Sequence, residues 1–145
     1  MGLLARLRRS RTPAPVVLDP DDPSLVVLVE AFEAARADSA VLAEAAARGV
    51  ELEQPLLVRH HLVALPDAPA VARAAELLAF DGYAVSTPQT GPRGLSVLAT
   101  RTQVLTALSA SQERSRMAGL AQRLGGDVTG WDALGPGPAA PDGPS

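Results

Sequence analysis

His60 and His61 are the only histidines in the chain and stand side by side, so they are the first residues to weigh for acid–base work or metal binding. The surrounding Leu56-Leu57-Val58-Arg59-His60-His61-Leu62-Val63 reads as a strand. Adjacent strand residues point to opposite faces, so the pair does not grip one ion together. Either ring alone could serve as an acid or base. No Asp, Glu or Ser stands at the spacing of a metal site or a catalytic triad, however. A structural histidine with a partner for its ring N–H is the simpler reading. The chain holds no cysteine, which excludes disulfides, thiolate zinc sites, iron–sulfur clusters and cysteine nucleophiles.

The single tryptophan, Trp131, has two readings. It is an anchor for a protein interface, or it seals the core at the end of the last strand. Gly130 before it permits a backbone conformation that carries the ring across the sheet edge. Gly125-Gly126 follows a helix instead of opening one, so it is a helix stop and not a phosphate cradle. The Gly91-Pro92-Arg93-Gly94 stretch offers one arginine to an anion but reads as a solvated turn, and Ser109, Ser111 and Ser115 read as surface. No catalytic group, cofactor or metal site is expected.

Composition narrows the classes further. Apolar residues make up 47% of the chain and aromatics only 3%, so the core is aliphatic and a base-stacking platform for nucleic acid is hard to build. The net charge of −3 gives no general attraction to nucleic acid. Arg6, Arg8, Arg9 and Arg11 form a basic arm, either a flexible terminus or a short surface-seeking helix. Only Val16–Leu18 separate that arm's Thr-Pro-Ala-Pro from the acidic Asp19, Asp21 and Asp22, too few for the apolar stretch of a secretory signal. No apolar run approaches the ~20 residues that span a bilayer. A cytoplasmic protein is expected.

These residues need elements to hold them. Asp22-Pro23 opens a helical segment in which Leu25, Leu28, Val29, Phe32 and Ala35 recur at helical spacing. A weaker break falls near Asp38-Ser39, and Val41, Leu42, Ala45 and Ala46 continue the apolar stripe to Gly49. The strand through His60 ends at Pro66-Asp67, which caps a helix burying Val71, Ala74, Ala75 and Leu78. Gly82 closes that helix, and Tyr83-Ala84-Val85 alternates as a short strand. Pro88–Gly94 is a loop to a long strand from Leu95 to Leu105, a stretch whose pattern is ambiguous. Thr106 caps the next helix, buried through Leu108, Met117, Leu120, Ala121 and Leu124. Asp127–Trp131 is the last strand. The order strand, helix, strand, strand, helix, strand gives an α+β, ferredoxin-like βαββαβ sandwich preceded by an N-terminal helical segment. The expected organisation is a basic arm over 1–20, one domain over 21–134, and a disordered Gly/Pro-rich tail over 135–145.

Three stretches carry a family resemblance. They are Arg59-His60-His61-Leu62, the run Ala74–Phe80 leading into Asp81-Gly82-Tyr83-Ala84-Val85, and Leu120-Ala121-Gln122-Arg123-Leu124-Gly125-Gly126-Asp127-Val128-Thr129-Gly130-Trp131. In order and spacing, from about Val41 to Leu134, the chain resembles the regulator of ribonuclease activity B family. The resemblance implies a ferredoxin-like sandwich without catalytic residues that acts by docking on a protein. In the founding member that protein is ribonuclease E, whose cleavage of RNA the docking lowers. Trp131, Gly130, Asp127 and Tyr83, which lie within these stretches, are the candidate partner-binding residues. Two departures stand out. The family's Tyr-Asp-Gly-Trp reads Val128-Thr129-Gly130-Trp131, and the founding member's acidic tail is replaced by a neutral one. The expected function is a protein-binding regulator acting on a ribonuclease E–type endoribonuclease. The alternative is a ferredoxin-like ligand-sensing or oligomerisation module with no nuclease partner, and an enzyme is the least favoured class.

Overall fold

The computed structural model describes residues 16–137. Most of the basic arm over 1–20 and most of the tail over 135–145 therefore lie outside the described residues. The rest is a mixed α+β structure of six strands and three helices. In chain order they are β1 (Leu25–Ala31), α1 (Asp38–Ala47), β2 (Leu56–Leu65), α2 (Ala68–Ala79), β3 (Ala84–Val85), β4 (Gln89–Gly91), β5 (Gly94–Gln103), α3 (Ala107–Arg123) and β6 (Asp127–Pro136). The strands form one antiparallel sheet in the order β1-β6-β2-β5-β3, with β4 also paired to β5.

The local signals explain most boundaries. Asp67 accepts a hydrogen bond from the Ala70 N–H at 2.9 Å, and Pro69 sits in the first turn of α2, where a missing donor costs nothing. Thr106 and Ser109 cap α3 reciprocally, each side chain accepting from the other's backbone N–H. That makes Ser109 a capping residue as well as a surface one.

Several expectations are corrected. The stretch from Leu25 is a strand, and the helix starts only at Asp38. Val26, Val27 and Val29 are β-branched and sit well on a pleated surface, and the β6 backbone supplies the partner that the run needs. Asp22 does not cap a helix; its carboxylate accepts from the Ser24 N–H and hydroxyl at 2.9 and 2.7 Å in a local turn. The sheet accordingly gains β1 beyond β6, and the 88–94 loop contributes β4, so six strands stand where four were expected. Leu108 is 68% exposed, and Ala110, at 3%, takes its place on the buried side of α3. The last strand also runs on to Pro136, beyond Leu134.

One face of the sheet carries the helices. Val29 and Ala31 of β1, Trp131 and Ala133 of β6, and Leu56 and Val58 of β2 pack with Val41, Leu42 and Ala45 of α1 and Ala110 of α3. Leu62 and Leu65 of β2 and Val97 and Ala99 of β5 pack with Val71 and Leu78 of α2 and Met117, Leu120 and Ala121 of α3. The alternation of β2 turns Leu57, Arg59, His61 and Val63 to the other face, which among the described residues carries no helix. The outer edge of β1 is bulged between Val27 and Val29, and Arg48 donates to the Leu28 carbonyl there at 2.7 Å.

Gly130 fixes how the two strands on that side meet. Its φ is +142°, and a Cβ there would lie 2.2 Å from the Ala31 carbonyl oxygen and 2.9 Å from the Phe32 ring. Both the backbone angle and the space forbid a side chain. Gly130→Ala is expected to lose at least about 2 kcal/mol of unfolding free energy, measured by urea denaturation; an unchanged midpoint would refute this account.

Candidate functional site

A polar cluster sits inside the helix–sheet layer. Trp131 is 0% exposed, and its indole N–H donates to Oδ1 of Asp38 at 3.1 Å. Arg114 of α3 grips the same carboxylate through Nε at 3.0 Å and Nη2 at 2.6 Å, and reaches the Ala31 carbonyl at 3.2 Å. Burial raises the Asp38 carboxyl, but the bonds from Arg114 and Trp131 outweigh it and hold the group below its ordinary value.

His60 pairs in register with Trp131 on β6 and with Ala99 on β5, so its ring points into this layer. It is 3% exposed, packs edge-on to the Tyr83 ring with centroids 5.9 Å apart, and its Nε2 has no hydrogen-bond partner among the described residues. Burial, with repulsion from Arg101, Arg114 and His61, drives its pKa down to about 4. Tyr83 is itself buried, with the Arg101 guanidinium 4.3 Å from its ring centroid. Its hydroxyl donates to Glu113, which also accepts from Arg101 and, at 2.7 Å, from Gln103.

The outward face holds a second constellation. Arg59 forks onto Asp132 through Nε at 2.8 Å and Nη2 at 2.6 Å, and Nε2 of His61 lies 3.3 Å from the same carboxylate. Asp132 is buried; burial raises its carboxyl, and the bonds from Arg59 and His61 more than offset this, leaving it lowered. The Phe32 ring stands edge-on against His61 at 4.9 Å. It can lie there because Gly130, opposite His61 in register, carries no side chain. Arg59 and His61 line a groove of about 720 Å³ floored by Val63, Leu98 and Thr100 and walled by Ser86, Thr87 and Gln89.

The four residues singled out from sequence do not share a surface. Trp131 and Tyr83 are interior, on opposite sides of His60. Gly130 shapes the outward face beneath Phe32, and Asp127 is exposed at the start of β6, its carboxylate accepting from the Val128 N–H at 2.8 Å. The ring of Trp131 thus has the place of a core seal. Sequence reading missed Arg59, Asp132, Phe32, Asp38 and Arg114. Arg59 and Asp132 lie 73 positions apart and meet only through the β2–β6 register. Among the described residues no three His, Asp or Glu side chains gather as a metal site, and no helix is long and apolar enough to cross a membrane.

Taken together, the fold and its polar clusters define a small aliphatic α+β sandwich with one helix-free face. The chain matches the family model for regulator of ribonuclease activity B over residues 35–133 and belongs to that family of regulators. No curated protein and no solved structure matches it.

Two outcomes follow for the interior. Trp131→Ala should cost about 3–5 kcal/mol with a matching fall in melting temperature; native-like melting with loss of a partner would instead make the ring an interface residue. His60 is held neutral in the fold and charges readily in the unfolded chain below pH 6.5. Its contribution is present above pH 6.5 and fades as pH falls toward 4. Relative to His60→Leu, the native chain should therefore lose on the order of 3 kcal/mol between pH 6.5 and 4. The comparison cancels Glu113, whose carboxyl burial lifts to about 7 and which titrates in the opposite sense. A pH-independent difference would show that His60 is not held neutral.

Proposed function

We propose that this chain is a non-enzymatic, protein-binding regulator that docks its outward sheet face on a ribonuclease E–type endoribonuclease and lowers that enzyme's cleavage of RNA. The observation that carries the reading is the family match over residues 35–133. The helix-free sheet face supplies a surface for the docking. The groove offers an aliphatic floor and the tips of Arg59 and His61, and the half-exposed Phe32 ring stands against His61 beside it. That is the mixture of ring, guanidinium and apolar contact from which protein interfaces draw most of their affinity. Asp127, exposed at the start of β6 beside Val63, belongs to the rim of this surface. Gly130 acts through Phe32, and Trp131 and Tyr83 act from within by fixing the strands.

The same reading includes a ferredoxin-like core. The path β2-α2-β3-β5-α3-β6 with the strand order β6-β2-β5-β3 supports it, β1 and β4 being additions. It also takes 21–134 as one unit, supported by the pairing of β1 with β6 in a single sheet. A cytoplasmic location follows from the nuclease partner, and the cysteine-free sequence agrees with it.

A pull-down of tagged chain against the endoribonuclease, followed by cleavage of a labelled RNA, tests the assignment. Cleavage should slow on adding the chain. Phe32→Ala and His61→Ala should each weaken binding roughly tenfold, about 1.4 kcal/mol, with melting temperature little changed. Unchanged cleavage together with no capture would remove the nuclease from the reading.

A further inference from the structure

The outward face is only half open. Leu57 and Leu134 pair with each other and, by strand alternation, point to it, yet they are 2% and 7% exposed. What crosses this side is the strap 16–24, which leads into β1. The half-buried Leu18 donates its backbone N–H to Oγ1 of Thr102 at 2.9 Å, and Thr102 is the register partner of Leu57. Beyond it Asp19-Pro20-Asp21-Asp22 closes a turn, with the Asp22 N–H on the Asp19 carbonyl at 3.0 Å and the Asp21 N–H on the Asp19 carboxylate at 2.9 Å. The turn places Pro20 and Asp21 in the wall of the groove that holds Arg59 and His61.

This strap is lightly held. Among the described residues its one bond to the sheet is that from Leu18, and its other hydrogen bonds stay within 19–25. Val17 is 81% exposed. An extended segment so fastened opens at small cost.

We propose that the strap is an internal stand-in for the partner's docking segment, and that this segment is an extended acidic–aliphatic peptide that displaces it. The inference rests on the outward face being the docking face. The chemistry comes from what the strap and the face already do to each other. The half-buried Leu18 meets Thr102, beside Leu57, through its backbone N–H, and Asp21 follows in the wall of the groove that Arg59 and His61 line. The counter-ion of that pair, Asp132, lies buried with its side chain 5% exposed. The groove therefore meets the guanidinium and imidazole, whose Nη1 and Nδ1 make no hydrogen bond among the described residues. On the far flank Glu30 is exposed on β1, which turns an acidic segment toward β5. RNA fits poorly, since among the described residues Phe32 and His61 are the rings at the groove and, set edge to face, they offer no track of stacking planes.

The test uses the full chain and a fluorescent peptide with the sequence of residues 16–24, added in trans and followed by anisotropy. Leu18→Asp and Thr102→Val each free the strap. Both should bind the peptide roughly tenfold more tightly than the native chain, because a closed strap taxes the apparent affinity by the fraction open. Adding His61→Ala should abolish the gain, and a peptide with its aspartates changed to lysines should not bind. Equal or absent binding by freed variants with native-like melting, tighter binding of the lysine peptide, or a dimer by light scattering without peptide binding would each overturn the proposal. The nuclease assignment is read separately. Peptide binding without nuclease inhibition sinks that assignment and leaves the strap's role standing. Inhibition indifferent to freeing the strap sinks the strap's role alone.

Discussion

The carboxylate of Asp38 sits where α1, α3, β1 and β6 converge. At the start of α1 it complements the positive end of that helix. It takes the indole N–H of β6 and two guanidinium N–H groups of α3, and the same guanidinium reaches a carbonyl of β1. A buried carboxylate is costly unless its lone pairs are filled, and here donors from two other elements fill them while the third, β1, holds the same guanidinium. Misplacing any of them strands a charge in an aliphatic interior, so the arrangement of helices on the sheet is specified as well as stabilised. Trp131 follows from that constraint. The chain's one indole is spent inside because a ring with a single N–H reaches a carboxylate across the layer while filling the volume that so few aromatics leave open.

The two polar clusters divide the labour of β2. His60 and His61 are neighbours in sequence and strangers in environment, one interior with no partner for its Nε2 among the described residues and one beside Asp132 facing the groove. The alternation of the strand produces this split without any special geometry. It explains how a histidine pair can look like chemistry in the sequence and yet be one packing residue and one surface residue. The outward cluster is rigid, since Arg59 is forked onto a buried acid. A rigid surface loses little entropy when something docks on it.

Much of the fold was legible. The Asp67 and Thr106 caps, the β2 strand and the α2 face each announce themselves within a few residues and appear where local chemistry puts them. β1 did not, because Leu25, Leu28, Val29 and Phe32 satisfy a helical period as well as a strand, and only the waiting edge of β6 decides between them. The site was less legible for a related reason. Asp38 and Trp131 are separated by 93 positions and Arg59 and Asp132 by 73. Neither pair exists until the register of β6 is known, and sequence spacing carries no trace of it. Trp131 and Gly130 were conspicuous by type, but type alone could not tell an interior ring from an exposed one.

The bulge in β1 has a consequence for how copies of the chain live together. A seven-residue strand with Val26 and Val27 half out of the core is an inviting template for another strand. At its middle the ladder is broken, and the Leu28 carbonyl is already taken by Arg48. An incoming backbone finds its register interrupted and one acceptor occupied, so the sheet ends at this margin in place of growing, and crowded copies are guarded from fibrous self-assembly.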